Sequence, residues 1–254
     1  MSIYFSELRS PQVGEAAARG AVLVLPFGQT EQHGPHLPIN TDALIARRLC
    51  EEAVLRLAGK PPSYVLDPIT YGYSQHVIKR WPGTFVLSQE AVIETLTSVM
   101  VSLADMGFRK VAVISTHGNH DGVARVAARE VADERGIGPG LFFPHAAVGD
   151  VMKAHGKAGP CGTCHACEME TSLMLHIAPE LVDMSVATAA DKLKSVPPYP
   201  SSQAFVSTWT RQESLSGTYG DPTVATAELG RLLFEKMVAE TAGFIRYYHG
   251  VEQI

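Results

Sequence analysis

A short apolar run, Ala21–Pro26, breaks directly into GQTEQHGPHLPINTD, and this junction constrains the chain more than any other feature. The run reads as a buried strand. The loop after it gathers two carboxylates, Glu31 and Asp42, and two imidazoles, His33 and His36, and is stiffened by Pro35 and Pro38. Alternate residues of an extended segment point the same way, so Glu31 and His33 can reach one point in space. Thr41 is a good helix N-cap, and Asp42 opens a helical-looking stretch that continues to Ala58. A strand end and a helix start that together supply three ligand-type side chains suit a divalent metal. An ordinary polar surface loop is the competing reading for so short a motif.

The rest of the chain supports a layered fold around that junction. Tyr64–Leu66, Val111–Ser115 and Leu141–Phe143 are further strand candidates, several too uniformly apolar for a sheet with one wet face. Between them lie helical stretches at Asp42–Ala58, Ser88–Met106 and Asp121–Arg135. Ser88 is a plausible cap, although a capping box would want Glu or Gln where Ala91 stands. Strand–helix alternation predicts right-handed βαβ units, hence an α/β fold with a mostly parallel sheet flanked by helices. Ligands of such sheets bind beyond the carboxyl ends of the strands. Glu31 and His33 come after the first strand and His117 after the third, so the ligand-type residues arrive at one edge.

No repeat, charge block or long linker divides the chain, and residues 1–254 are read as a single domain. Asp183–Gly220, with Pro197, Pro198 and Pro200, reads as a long ordered excursion, a lid or a subunit contact. A helix is expected from about Thr223 to Phe244, with Leu229, Leu232, Leu233, Met237 and Val238 as an apolar stripe.

Composition excludes several function classes. A formal charge of −5 without a Lys/Arg run argues against nucleic acid as a partner. MSIYFSELRSPQ lacks the basic start and apolar core of a secretory signal. No apolar run approaches the roughly 18 residues needed to span a bilayer, so no membrane is expected. Four cysteines in such a chain fit thiols in a reducing, cytoplasmic setting.

The string EQHGPHLPINTD closely resembles the signature of the creatininase family of dinuclear metallohydrolases. WPGT at Trp81–Thr84, STHGNH at Ser115–His120 and HACEMETSLML at His165–Leu175 resemble further family motifs in the right order. Together these segments run from about Gly28 to Leu175. The resemblance implies that Glu31 and His117 serve one metal and His33 the second, with Asp42 bridging both. At the position where the creatinine-specific enzyme carries its fifth ligand, Glu, this chain has Asn119. Glu170 is the natural replacement, and Glu168 its competitor; on a helix the two face different directions. Two divalent ions against three carboxylates leave a single positive charge, which a bridging hydroxide would neutralise. Zinc, manganese, iron and cobalt all suit this mixed donor set.

The same resemblance aligns His165 with the family histidine that exchanges a proton with substrate. It implies hydrolysis of a carbon–nitrogen bond in a small cyclic or linear amide by the metal-bridging hydroxide, in a homo-oligomer of hexameric type. His76, ahead of the WPGT turn, is expected at the substrate pocket, with a plain surface position as the competing reading. Gly118 and Cys161 stand where the creatinine enzyme places pocket aromatics, which argues against creatinine as the substrate. His36 and His120, neighbours of the ligand histidines, read as structural or ligand-orienting groups. Two other functions remain open. One is a metal-binding regulatory protein of the same fold. The other is a redox protein, because Cys161-Gly-Thr-Cys164-His165 spells the attachment pattern of c-type haem and Cys167 adds a third thiol.

Overall fold

The computed structural model describes residues 2–159, 162–189 and 214–252. Its centre is a four-stranded parallel sheet in the order β2-β1-β3-β4. The strands are β1 (Val22–Phe27), β2 (Ser63–Val65), β3 (Lys110–Ser115) and β4 (Gly140–Phe142). β1 and β3 run in register from Val22 opposite Lys110 to Phe27 opposite Ser115, so the two strands end level. Each expected strand is present, shifted by about one residue.

Helices α1 (Ser10–Ala18), α2 (Thr41–Arg56), α3 (Gln89–Asp105), α4 (Asp121–Arg135), α5 (Gly149–His155), α6 (Glu168–Ile177) and α7 (Ala227–Gly250) complete the fold. Alternation along β1 sends its side chains to two separate cores. Val22 and Val24 pack with Ile45 and Leu49 of α2 and with Leu233, Met237 and Ile245 of α7. Leu23, Leu25 and Phe27 pack with Leu96 and Met100 of α3 and with Ala127 and Val131 of α4. Both faces of the sheet are therefore covered. That is why β1 and β3 carry no alternation of apolar and polar residues: every residue in both is buried.

Helix boundaries correct the sequence expectations in places. Ser88 does cap α3, accepting the Ala91 N–H at 3.1 Å. Thr41 is the first residue of α2 rather than its cap: its hydroxyl donates to the Pro38 carbonyl at 2.7 Å, and Asn40 holds the cap position. The last helix starts later than expected and runs on to Gly250. Pro222–Val224 form a separate helical turn, and Thr226 caps α7 by accepting the Leu229 N–H at 3.1 Å. α1 leaves little trace in the sequence, because Gly14 and a run of alanines give it scant apolar periodicity. Much of the Asp183–Gly220 excursion, including Pro197, Pro198 and Pro200, lies outside the described residues. Among the described residues no helix is long and apolar enough to cross a membrane.

Candidate metal centre

The loop after β1 folds back on the start of α2. Gly28 makes this possible, since a Cβ there would sit 2.4 Å from the Cα of Ala43. The Glu31 N–H donates to the Ile39 carbonyl at 2.9 Å, and His33 bridges to Leu37. Glu31 and His33 are thereby brought over Asp42, in the first turn of α2, where the helix N-terminus favours an anion. His117 arrives from the end of β3, as its place in the chain predicts. All four side chains are buried.

Three groups of ligand-type atoms converge here, each with all its atoms within 4.8 Å of one another. Glu31, Asp42 and His117 form one; His33, Asp42 and Glu170 form a second; Glu31, His33 and His165 form a third. Asp42 is shared between the first two. Its Oδ2 lies 3.0 Å from Nδ1 of His117 and its Oδ1 3.3 Å from Nε2 of His33. Nε2 of His33 also lies 3.8 Å from Oε2 of Glu170. Glu168 turns away from this cluster, as two positions less than a helical turn apart must. Its carboxylate accepts the backbone N–H of Lys157 at 2.8 Å and that of Ala158 at 2.8 Å, tying down the loop before α6.

Each histidine spends its far nitrogen outside the cluster. His33 donates Nδ1–H to the Glu31 carbonyl at 3.0 Å, and His165 donates Nε2–H to the Gln32 carbonyl at 2.7 Å. His117 Nε2 lies 3.4 Å from the Ser74 hydroxyl. That hydroxyl donates to Oε2 of Glu31 and is itself held by Gln29, whose Nε2 donates to it at 2.9 Å. Such partners fix which ring nitrogen is free to bind a cation. The atoms left facing one another are imidazole lone pairs and carboxylate oxygens. Glu31 Oε1, His33 Nε2 and Asp42 Oδ2 are buried there without a hydrogen-bond partner. An orphaned, convergent set of nitrogen and oxygen donors is what divalent cations satisfy, so these residues fit metal ions.

Without a cation the cluster holds protons instead. Burial alone would lower the pKa of His33, but the carboxylates of Asp42, Glu170 and Glu31 outweigh it and push it up to about 10. His117 is likewise opposed by burial, yet Glu31 and Asp42 raise it to about 9. Burial lifts Glu170 to about 7, against the pull of His33. Burial also lifts Asp42, but His33 and His117 overcome that and hold it well below the usual carboxylate range.

A cavity of about 740 Å³ opens from Glu31, His117, His165 and Glu170. Gly118 lines it. His76 does not: it is exposed at the start of the helical turn His76–Arg80, while its neighbour Gln75 lines the cavity. Cys161 lies outside the described residues. Cys164 lines the cavity, and the buried Cys167 thiol donates to the carbonyls of Gly162 at 2.9 Å and Cys164 at 2.8 Å. His36 and His120 stand outside the three groups. His36 Nε2 meets the Thr171 hydroxyl at 2.9 Å, and His120 stacks on Phe27 with ring centroids 3.7 Å apart.

Sequence reasoning missed Gln32, Ser74, Gln75 and His145. Ser74 and Gln75 lie outside every motif, and Gln32, though inside EQHGPHLPINTD, has no ligand-type side chain. His145 comes after β4 as His117 comes after β3, so the strand-end rule that found His117 would have found it too. Burial lowers its pKa, and it meets the cavity as neutral imidazole.

The family model for creatininase, described as creatinine amidohydrolase, matches residues 6–245. The chain belongs to the creatininase family. The mycofactocin precursor peptide peptidase of Mycobacterium ulcerans is 34% identical over 226 residues, 85% of this chain and 81% of that protein. The 3-dehydro-scyllo-inosose hydrolase of Thermotoga maritima is 31% identical over 185 residues, 71% of this chain but only 58% of that enzyme. Among solved structures, the Zn-Zn type of a mutant creatininase is 25% identical with a TM-score of 0.85, covering 99% of this chain and 100% of that one. The creatininase fold expected from the sequence is thus the one observed.

Proposed function

We propose that this chain is a two-metal amidohydrolase that cleaves a carbon–nitrogen bond in a small, uncharged amide. One observation carries the reading: Asp42 is common to two separate donor groups, one completed by Glu31 and His117 and the other by His33 and Glu170. A carboxylate with one oxygen toward each group can hold two cations at a fixed separation. Hydrolase relatives with 31–34% identity and the Zn-Zn creatininase support it. Zinc, manganese and iron all suit the donor set.

Bound divalent ions supply Lewis acidity and bring the pKa of water from about 15.7 towards 7. The remaining work belongs to the protein. Glu31, Asp42 and Glu170 supply the negative charge that retains the ions, and the carbonyls of Glu31 and Gln32 hold His33 and His165 in the tautomers required. With Nε2–H held by Gln32, His165 turns its Nδ1 lone pair to the cluster, 3.3 Å from Glu31 Oε1, where it would take up the proton that the attacking water gives up. Nδ1 then delivers that proton to the departing nitrogen. Assembly into a homo-oligomer belongs to the same proposal.

The test is elemental analysis of purified protein followed by a hydrolysis screen of cyclic amides, hydantoins, lactams and formamides. Two ions per chain and turnover of at least one amide are expected. Two ions with no turnover of any amide would favour a metal-binding regulatory protein, and one ion or none would overturn the two-metal site.

A further inference from the structure

Away from the metal cluster, the cavity changes character. It extends between α3 and α4 along a wall of Ile78, Ile93, Val123 and Val126, with Met169 also lining it. Apart from the ligand set and the histidines, Asp121 is its one ionisable acid among the described residues, and no lysine or arginine lines it. Asp121 is itself ion-paired with Arg125 at 2.7 Å. A phosphate or carboxylate entering here would lose water without meeting a counter-charge, which is costly. A volume of about 740 Å³ also exceeds the needs of one small ring.

Two lining residues are polar and unsatisfied. Gln75 Oε1 and His145 Nδ1 are buried atoms without a hydrogen-bond partner. A carboxamide and a neutral imidazole give hydrogen bonds without charge. Buried polar atoms left in this state find their partner in water or in a ligand.

We infer that the cavity selects an uncharged amide bearing a branched aliphatic substituent, with Gln75 and His145 as the residues that hydrogen-bond it and Ile78, Ile93, Val123 and Val126 as the wall that seats the substituent. This rests on the amidohydrolase reading for the location of the reacting bond, but the selectivity is a property of the cavity. It also distinguishes this chain from an enzyme for a flat, stacked ring: besides histidines, Tyr73 is the only aromatic residue lining the cavity among the described residues.

A matched pair of probes tests it. N-isovaleryl-glycinamide ends in a branched aliphatic group, and N-succinyl-glycinamide ends in a carboxylate at similar length. Binding of each to the metal-loaded protein is measured by calorimetry, alongside creatinine, and hydrolysis is monitored separately. The isovaleryl amide should bind at least ~10-fold more tightly than the other two, in line with the roughly 10–200-fold that apolar pocket contacts provide. Gln75→Leu and His145→Leu should each weaken it about 10-fold while the metal content stays at the wild-type value. Val126→Lys, at a position 40% exposed and therefore tolerant of change, should shift preference toward the succinyl amide. Equal or tighter binding of the succinyl amide or creatinine by wild type would overturn the inference, as would unchanged binding in both Gln75→Leu and His145→Leu. If the selectivity holds but no amide is hydrolysed, the proposed reaction fails and the cavity assignment stands.

Discussion

His33 donates its Nδ1–H to the backbone carbonyl of Glu31, two residues earlier in the chain, at 3.0 Å. One loop thus supplies a carboxylate to one donor group and orients the imidazole of the other. Because the acceptor is backbone, replacing the Glu31 side chain leaves the His33 tautomer intact.

That arrangement separates the two proposed ions. Glu31→Gln should empty the group it forms with Asp42 and His117 but leave the His33–Asp42–Glu170 group loaded, for about one ion per chain. Asp42→Asn should lose most of both, since a neutral amide cannot replace a carboxylate shared by two cations. Elemental analysis of the two variants decides. Two ions retained in Asp42→Asn would remove Asp42 from the bridging position.

Glu168 and Glu170 should behave as different kinds of residue despite lying two apart on α6. Glu170→Gln should lose metal with little change in the stability of the metal-free protein. Glu168→Gln should keep its metal but loosen the loop at Lys157 and Ala158, whose N–H groups it accepts. Hydrogen bonds to a charged group contribute about 1.5–3 kcal/mol each. A chain of this size shifts its melting temperature by roughly 2–4 °C per kcal/mol, so calorimetry on both variants reads the difference.

Loading the site should expel protons. The metal-free His33 and His117, at about 10 and 9, are both charged at pH 8, and a cation must replace those protons. Calorimetry at pH 8 in buffers of different ionisation enthalpy should therefore show at least about two protons released per chain. The linkage also has a sign. A histidine whose pKa rises on folding, from an ordinary 6.5, adds stability that is complete below 6.5 and disappears as the pH climbs through its folded value. Between pH 8 and 10.5 the metal-free protein should lose stability from these two residues while the metal-loaded protein does not. Parallel melting curves that keep the same spacing across that range would contradict this.

The legible part of the site came from backbone order. Strand ends deliver side chains to one edge of a parallel sheet and Asp42 sits at a helix start, so Glu31, His33, Asp42 and His117 could be placed from the sequence, and the resemblance added Glu170 and the bridging role of Asp42. His76 shows the limit: Gln75, beside it, lines the cavity, and a loop residue's direction depends on its turn rather than on a period. Ser74 and Gln32 were invisible for another reason. Each acts across more than forty positions, on Glu31 for Ser74 and on His165 for Gln32, and no local pattern encodes such a contact.

His165 is where the geometry bears hardest on the mechanism. Its Nδ1 lies 3.3 Å from Glu31 Oε1, and it forms a donor group with Glu31 and His33, so it stands close enough to be a ligand. Yet the two groups that share Asp42 are complete without it. Two readings of one residue therefore predict opposite results. As the proton carrier, His165→Ala should keep both ions and near-normal stability and lose activity by about 10²–10⁴-fold, mostly in kcat. As a ligand, it should lose metal, and activity would fall with the metal content. The Gln32 carbonyl holds the Nε2–H, so on the proton-carrier reading His165→Gln, which keeps an amide N–H but cannot shuttle a proton, should also keep both ions without recovering kcat. Metal stoichiometry and kcat on the same preparations of wild type, His165→Ala and His165→Gln give the answer. Loss of an ion in His165→Ala would make His165 a ligand and leave the departing nitrogen without an assigned acid.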